Sequence, residues 1–258
     1  LAAIDRNTPA LPVVELPGDC RLTLLSPDHA RLLDLKDNWA KELKAARIPS
    51  GNVAKLRERL DASRRLRPLG DVLGAEDDFD LDEQTPAAAD DDLADVLGGT
   101  TGEPGADAPF GGDTSRANGS SIALLLDYPA TQPEVRFLLA GDAWPAVLEA
   151  SIDHLVAPGE RLAVSGFKLA HHGSVANVSK SLLGKLSCAN YLISTNGAIF
   201  HHPHARCVEL LLKTHGAPGK PRLHFNYLVP TTEAWRGKAD QTARGYQAFH
   251  PKGLSLVF

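Results

Sequence analysis

Between Gly70 and Ser115 the chain carries 14 acidic residues and not one basic residue. Such a run cannot build a core. Its Asp, Gly, Pro and Ala residues, with few aromatics among them, bury too little apolar surface to offset the entropy lost on ordering. Residues 73–113 are therefore expected to form a mobile acidic insert, and folded structure has to come from the flanks, 1–72 and 114–258. The same run distorts the charge balance. The net charge of −5 conceals a remainder, outside Gly70–Ser115, that holds all 27 basic residues against 18 acidic ones. A basic body attracts anions. The insert is read first as a solvated loop and nothing more; it would otherwise fold over a basic groove and compete with an anionic substrate, or lie exposed to a protease.

The flanks have enough apolar content to bury a core, since 43% of the chain is apolar. CRLTLLS (Cys20–Ser26) reads as a strand, and Leu32, Leu33, Leu35, Trp39 and Leu43 space a helix over 29–47. AKLRERLDASRRLR reads as a basic helix, either a solvated face or a contact for phosphates. Beyond the insert, SIALLLDY (121–128) and VRFLLAGDA (135–143) are apolar strands close enough for a hairpin. RLAVSGFKLA (161–170), NYLIST (190–195), RLHFNYLV (222–229) and GLSLVF (253–258) read as further strands. AVLEASIDHL, VSKSLLGKL and HARCVELLLKTHG alternate with them as helices, the last stopped by Gly216. This alternation predicts an α/β fold.

Cys20, Cys188 and Cys207 are far apart and form no CxxC pair. That argues against a thiolate zinc site or a disulfide framework, and suits a cytoplasmic location. No apolar run approaches the roughly 20 residues of a membrane span, so no membrane partner is expected.

Chemistry-bearing residues gather where predicted strands end. LLAGDA delivers Asp142, FKLAHHGS delivers His171 and His172, and FHHPHARC places His201, His202 and His204 ahead of a helix. Half of the ten histidines lie in these two clusters. Asp142 alone would suit a turn or a helix cap, and any single histidine suits a structural role. Two histidine clusters and an aspartate at three strand ends point instead to a cation bound by imidazole and carboxylate: zinc, manganese or iron. Such a metal lowers the pKa of a bound water and polarises a phosphoryl or acyl oxygen. A serine hydrolase built on Ser174 is disfavoured, because HHGS is not a GxSxG elbow.

In these motifs the sequence resembles the metallo-β-lactamase fold superfamily, and within it the ComEC-like hydrolases. The resemblance is carried in order by LPGDCRLTLLSP, NGSSIALLLDY, the GD that ends Leu138–Asp142, the KxxHHGS of Lys168–Ser174, and His202-Pro203. It covers about residues 11–69 and 113–258. It implies the C-terminal half of an αββα sandwich that binds two divalent metal ions, zinc first, with manganese or iron as alternatives. By position Asp142 would bridge the metals and His202 would be a terminal ligand. His171 would protonate the leaving group or hold the phosphate. His172, Lys168 and Ser174 would be neighbours of the site. The choice between His171 and His172, and of His202 over His201 or His204, stays open.

The superfamily's HxHxDH motif is absent from the sequence. The expectation is therefore that the chain is the C-terminal portion of a longer protein, completed by an N-terminal half. The implied activity is that of a metal-dependent phosphodiesterase or nuclease acting on nucleic acid or another phosphodiester. A bacterial antiviral effector switched on by a protease is one form of it. The alternative is a metal-free scaffold or regulatory module.

Overall fold

The computed structural model describes residues 3–8, 10–45, 51–52, 54–55, 112–197, 200–214 and 220–250. Most of the predicted basic helix, residues 73–111 of the predicted insert, Gly216 and the strand predicted at 253–258 lie outside the described residues.

Among the described residues ten strands form: β1 (Val13–Leu16), β2 (Cys20–Ser26), β3 (Ala123–Tyr128), β4 (Val135–Leu139), β5 (Leu162–Val164), β6 (Gly166–Lys168), β7 (Leu186–Cys188), β8 (Asn190–Ile193), β9 (Arg222–Phe225) and β10 (Gln247–Phe249). Eight of them make one mixed sheet in the order β1-β2-β3-β4-β6-β8-β9-β10, while β5 and β7 pair separately. Strands β1 to β4 run antiparallel through consecutive pairings, and the predicted β3–β4 hairpin is present. From β4 onward every pairing is parallel: β4 with β6, β6 with β8, β8 with β9 and β9 with β10. The α/β class is as expected.

The stretch read as one strand over 161–170 is two strands in two sheets. Ser165 breaks it. Its backbone N donates to Arg136 O, its Oγ accepts from Arg136 N, and its carbonyl accepts from Asn190 Nδ2. The chain re-enters the sheet at Gly166, where a β-carbon would stand 2.4 Å from the Phe137 ring. A run of apolar residues does not reveal such a step, because both halves keep strand composition.

The helices are α1 (His29–Ala45), α2 (Arg116–Gly119), α3 (Pro145–Ile152), α4 (Lys180–Gly184), α5 (Ala205–Thr214), α6 (Pro230–Glu233) and α7 (Lys238–Arg244). Pro145 occupies the first turn of α3, where a missing N–H costs nothing. Helix α3 packs on β2, and α4 packs against both α3 and α5. Leu125, Leu138, Phe167, Tyr191, Ile193, Leu223 and Phe225 supply the buried sheet positions of the core. On the alternate positions, Leu124, Leu126, Phe137, Leu139 and Leu192 are only half-buried, and Tyr128 and Val135 are exposed. The described residues thus cover one sheet face fully and the other in part.

Phe167 is fully buried, with its ring edge-on to Tyr191. Phe167→Ala is expected to cost about 3–5 kcal/mol. Val135→Thr on the partly covered face should stay within about 0.5 kcal/mol. Urea unfolding of both variants checks this, and equal losses would contradict the asymmetry of the two faces.

Candidate functional site

Parallel pairing places the C-terminal ends of β4, β6 and β8 on one edge of the sheet, and the loops that leave them carry the predicted residues. In sheets of this kind such an edge holds side chains rigidly beside an open cleft. Asp142 follows β4, His171 and His172 follow β6, and the segment after β8 leads to His201, His202 and His204. Lys168 ends β6 and shares a register row with Leu139 and Leu192.

These loops are locked together largely by main chain. His171 N donates to Gly141 O at 2.9 Å, and His204 N donates to Gly173 O at 3.1 Å. Gly141 has φ +55, and a β-carbon there would lie 2.6 Å from Ile122 O and 2.7 Å from Ser121 Oγ. Gly173 has φ +87, and a β-carbon would meet Pro203 Cβ at 2.8 Å. The NGSS run completes the frame. The Trp144 ring lies against Gly119, where a β-carbon would stand 2.8 Å from it. Ser120 Oγ donates to Arg31 O and Arg116 O. Ser121 Oγ accepts from Asp142 N at 3.0 Å.

His171 and His172 do not continue β6 with alternating faces. They sit in a 3₁₀ turn with φ of 43° and 56°. Two successive left-handed non-glycine residues cost about 1–3 kcal/mol each and persist only where surroundings impose them. The main-chain bonds to Gly141 and Gly173 do so here. His201 also has a positive φ, 53°.

The turn separates the two rings. His171 is buried, and its Nδ1 lies 3.1 Å from Asn177 Oδ1, 3.3 Å from Asn118 Nδ2 and 3.7 Å from Asp113 Oδ2. His172 is exposed, and its Nδ1 bonds to Ser194 O. His202 is buried, with its ring 5.1 Å edge-on from His171 and stacked 6.3 Å from His172. His204 lies 4.6 Å behind His202 and is fully buried, with Nδ1 accepting from Val175 N. His201 is exposed. The structure therefore brings His171, His172 and His202 ring to ring and gives His204 a backbone partner. Ser174 is buried, and its Oγ accepts from Ala176 N to close the turn.

Electrostatics follow from this packing. Burial, then the neighbouring imidazoles of His204, His171, His172 and His201, push His202 down to about 3, so it is a neutral imidazole. Burial lowers Lys168, against the opposing pull of Asp142. Burial also works against a charged His171, but the nearby Asp113 carboxylate, the charge of Asp142 and the bond to Asn177 outweigh it and raise its pKa. Asp142 thus acts electrostatically on both His171 and Lys168.

Three residues of the site escaped the sequence reading: Asp113, Asn118 and Asn177. Asp113 is the last residue of the predicted insert, yet its side chain is 5% exposed. Its Oδ2 accepts from Asn118 Nδ2 and Asn177 Nδ2, both at 2.7 Å, and its Oδ1 accepts from Ser115 N at 2.8 Å. Burial would raise its pKa, but the nearby His171 imidazole and the hydrogen bonds from Asn177, Asn118 and Ser115 hold it below the ordinary 3.8. The available signal was the NGSS run directly after the acidic segment.

Asp142 and His202 match a transition metal in kind, as a carboxylate and a neutral imidazole. Among the described residues, however, no three His, Cys, Asp or Glu side chains gather so as to hold a metal ion. No protein-family profile matches the sequence, and no curated protein or solved structure matches it.

Gly141→Ala forces a β-carbon into the Ile122 carbonyl at a positive φ and is expected to destabilise the chain by more than about 1 kcal/mol. Gly184→Ala on α4, where a β-carbon meets nothing within 4 Å, should be neutral or stabilising in the same urea titration. A second expectation concerns acid. A carboxylate whose folded pKa lies below its unfolded value contributes stability above the unfolded pKa and loses it as pH falls through the folded one. Asp113→Asn should therefore flatten the fall in stability below about pH 4, where wild type weakens more steeply. Parallel acid-unfolding slopes would contradict the buried, hydrogen-bonded carboxylate.

Proposed function

We propose that this chain is part of a dinuclear metal-dependent hydrolase of the metallo-β-lactamase fold, acting as a phosphodiesterase or nuclease. The observation that carries the reading is the convergence of three motif loops at one sheet edge, where the His171 ring lies 5.1 Å from the ring of a neutral His202 and feels the charge of Asp142, which also acts on Lys168. Asp142 and His202 would hold metal, with zinc first and manganese or iron as alternatives. Bound there, the metal would supply an activated water and polarise the phosphoryl oxygen. The chain's own residues do the rest. Lys168 attracts the anionic group, and the His171 ring, fixed by its clamp of buried polar groups, is the proton-exchanging group beside it.

Two donors are too few for a tightly held transition metal. The missing ligands are assigned to the N-terminal half of the same protein. The half-covered apolar face of Leu124, Leu126, Phe137 and Leu139 supports this, because a second β-layer would bury it. The face includes the Lys168 row of the sheet. The basic balance of the flanks suits nucleic acid as substrate and the acidic segment as a site of proteolytic control, in keeping with a cytoplasmic antiviral effector. The competing reading, a metal-free scaffold, is favoured by one fact: the described residues contain no three-ligand group.

The two readings separate on the chain joined to its N-terminal half. Hydrolysis of DNA, RNA and a bis-aryl phosphate is expected with zinc or manganese. Asp142→Ala and His202→Ala should each lower it at least about 100-fold with the circular dichroism spectrum retained. Full activity of Asp142→Ala would defeat the metal-hydrolase reading, and absence of bound metal in the intact protein would favour the scaffold.

A further inference from the structure

The polar groups around His171 do more than fill space, because their hydrogen-bond directions are determined. Asn177 Nδ2 lies 2.7 Å from Asp113 Oδ2 and 3.0 Å from the carbonyl oxygen of Asp142. Both partners are acceptors only. Turning the amide over would set its oxygen against two buried oxygens, each left without a proton. Asn177 Oδ1 therefore faces His171 Nδ1 at 3.1 Å, and an amide oxygen can only accept. The proton between them must sit on Nδ1.

A competing contact exists. Asn118 Nδ2 lies 3.3 Å from the same nitrogen and could donate to it if Nδ1 were bare. That contact is longer than the 3.1 Å to Asn177 Oδ1, and Asn118 would make it with the amide hydrogen not given to Asp113. The Asp113 carboxylate, 3.7 Å from Nδ1, adds negative potential that favours a proton there. A bare Nδ1 would face both the Asn177 oxygen and this carboxylate with a lone pair. The Nδ1–H arrangement suits both oxygens and gives up only the longer Asn118 contact.

We infer that Asp113 and Asn177 are positioning residues of this site, which hold the His171 ring in one orientation and in its Nδ1–H tautomer, so that Nε2 is the bare nitrogen offered to substrate. Asp113 fixes Asn177, Asn177 fixes the ring, and the Asp142 carbonyl ties the same amide to the loop that carries the Asp142 carboxylate. The ring and that carboxylate are thereby set relative to each other through one side chain. Orienters of this type typically change activity 10- to 100-fold in metal enzymes. The catalytic consequence rests on the hydrolase reading, whereas the clamp rests on geometry alone.

The test has two independent arms. In the full chain with ring-¹⁵N histidine, long-range ¹H–¹⁵N correlations are recorded at a pH where the ring is neutral, with His171 assigned by its loss in His171→Gln. Wild type should show a protonated-type Nδ1 and an unprotonated-type Nε2, and Asn177→Ala should return the ring towards the tautomer mixture of a free side chain. A wild-type ring protonated at Nε2 overturns the inference, even if every variant fails to fold. In the active protein joined to its N-terminal half, Asn177→Ala should lower kcat about 10- to 100-fold with KM changed by less than about twofold, and Asp113→Glu should recover part of the loss seen in Asp113→Ala. A raised KM at unchanged kcat overturns the positioning role. An Nδ1–H ring in a protein that hydrolyses nothing leaves the clamp standing and removes the hydrolase reading instead.

Discussion

Parallel hydrogen bonding between β4, β6 and β8 is the constraint on which the site depends. Because the register rows align Leu139, Lys168 and Leu192, each strand ends within a residue or so of its neighbour, and three separate loops leave the sheet at one edge. Side chains distant in sequence meet there without any of them having to pay for the meeting by local preference. The sheet is stabilised by its buried row of Leu138, Phe167, Tyr191 and Ile193, so apolar packing on one face sets the geometry of polar groups at the end.

The loops themselves are unfavourable structures imposed by that frame. Left-handed backbone at His171 and His172, and glycines at positions where a β-carbon would collide, are tolerated because each loop supplies its neighbour's hydrogen-bond partner. Strain of this kind concentrates where a chain must aim side chains at one point. The burial of His202 among other imidazoles has a similar logic. Its neutrality follows first from burial and then from crowding by potential cations, and a neutral ring is the form that can ligate a metal.

Much of the framework was legible from residue pattern. Strand β2 has the bounds read for it, the β3–β4 hairpin is present, and Pro145 opens a helix as its fixed φ requires. These features depend on neighbours a few residues apart. The break at Ser165 was not legible, because its cause is the Phe137 ring lying over Gly166 from another strand. Strands β1, β7 and β10 and helices α2, α6 and α7 were missed for a related reason: each is three to seven residues long, too short for a periodic signal, and is held by partners elsewhere.

At the site the division is sharper. Which residue types could do chemistry, and that they stand at strand ends, followed from composition and order alone: Asp142 after an apolar run, paired histidines after another, a histidine cluster before a helix. Which ring is buried did not follow, since it depends on backbone torsions that adjacent identical residues do not reveal. Nor did the roles of Asp113, Asn118 and Asn177. Asp113 sits next to a run of residues with no capacity to form a core and takes its character from Asn177, 64 positions away. A buried carboxylate is defined by the donors that converge on it, and convergence across such a separation is a property of the folded chain, not of any segment within it.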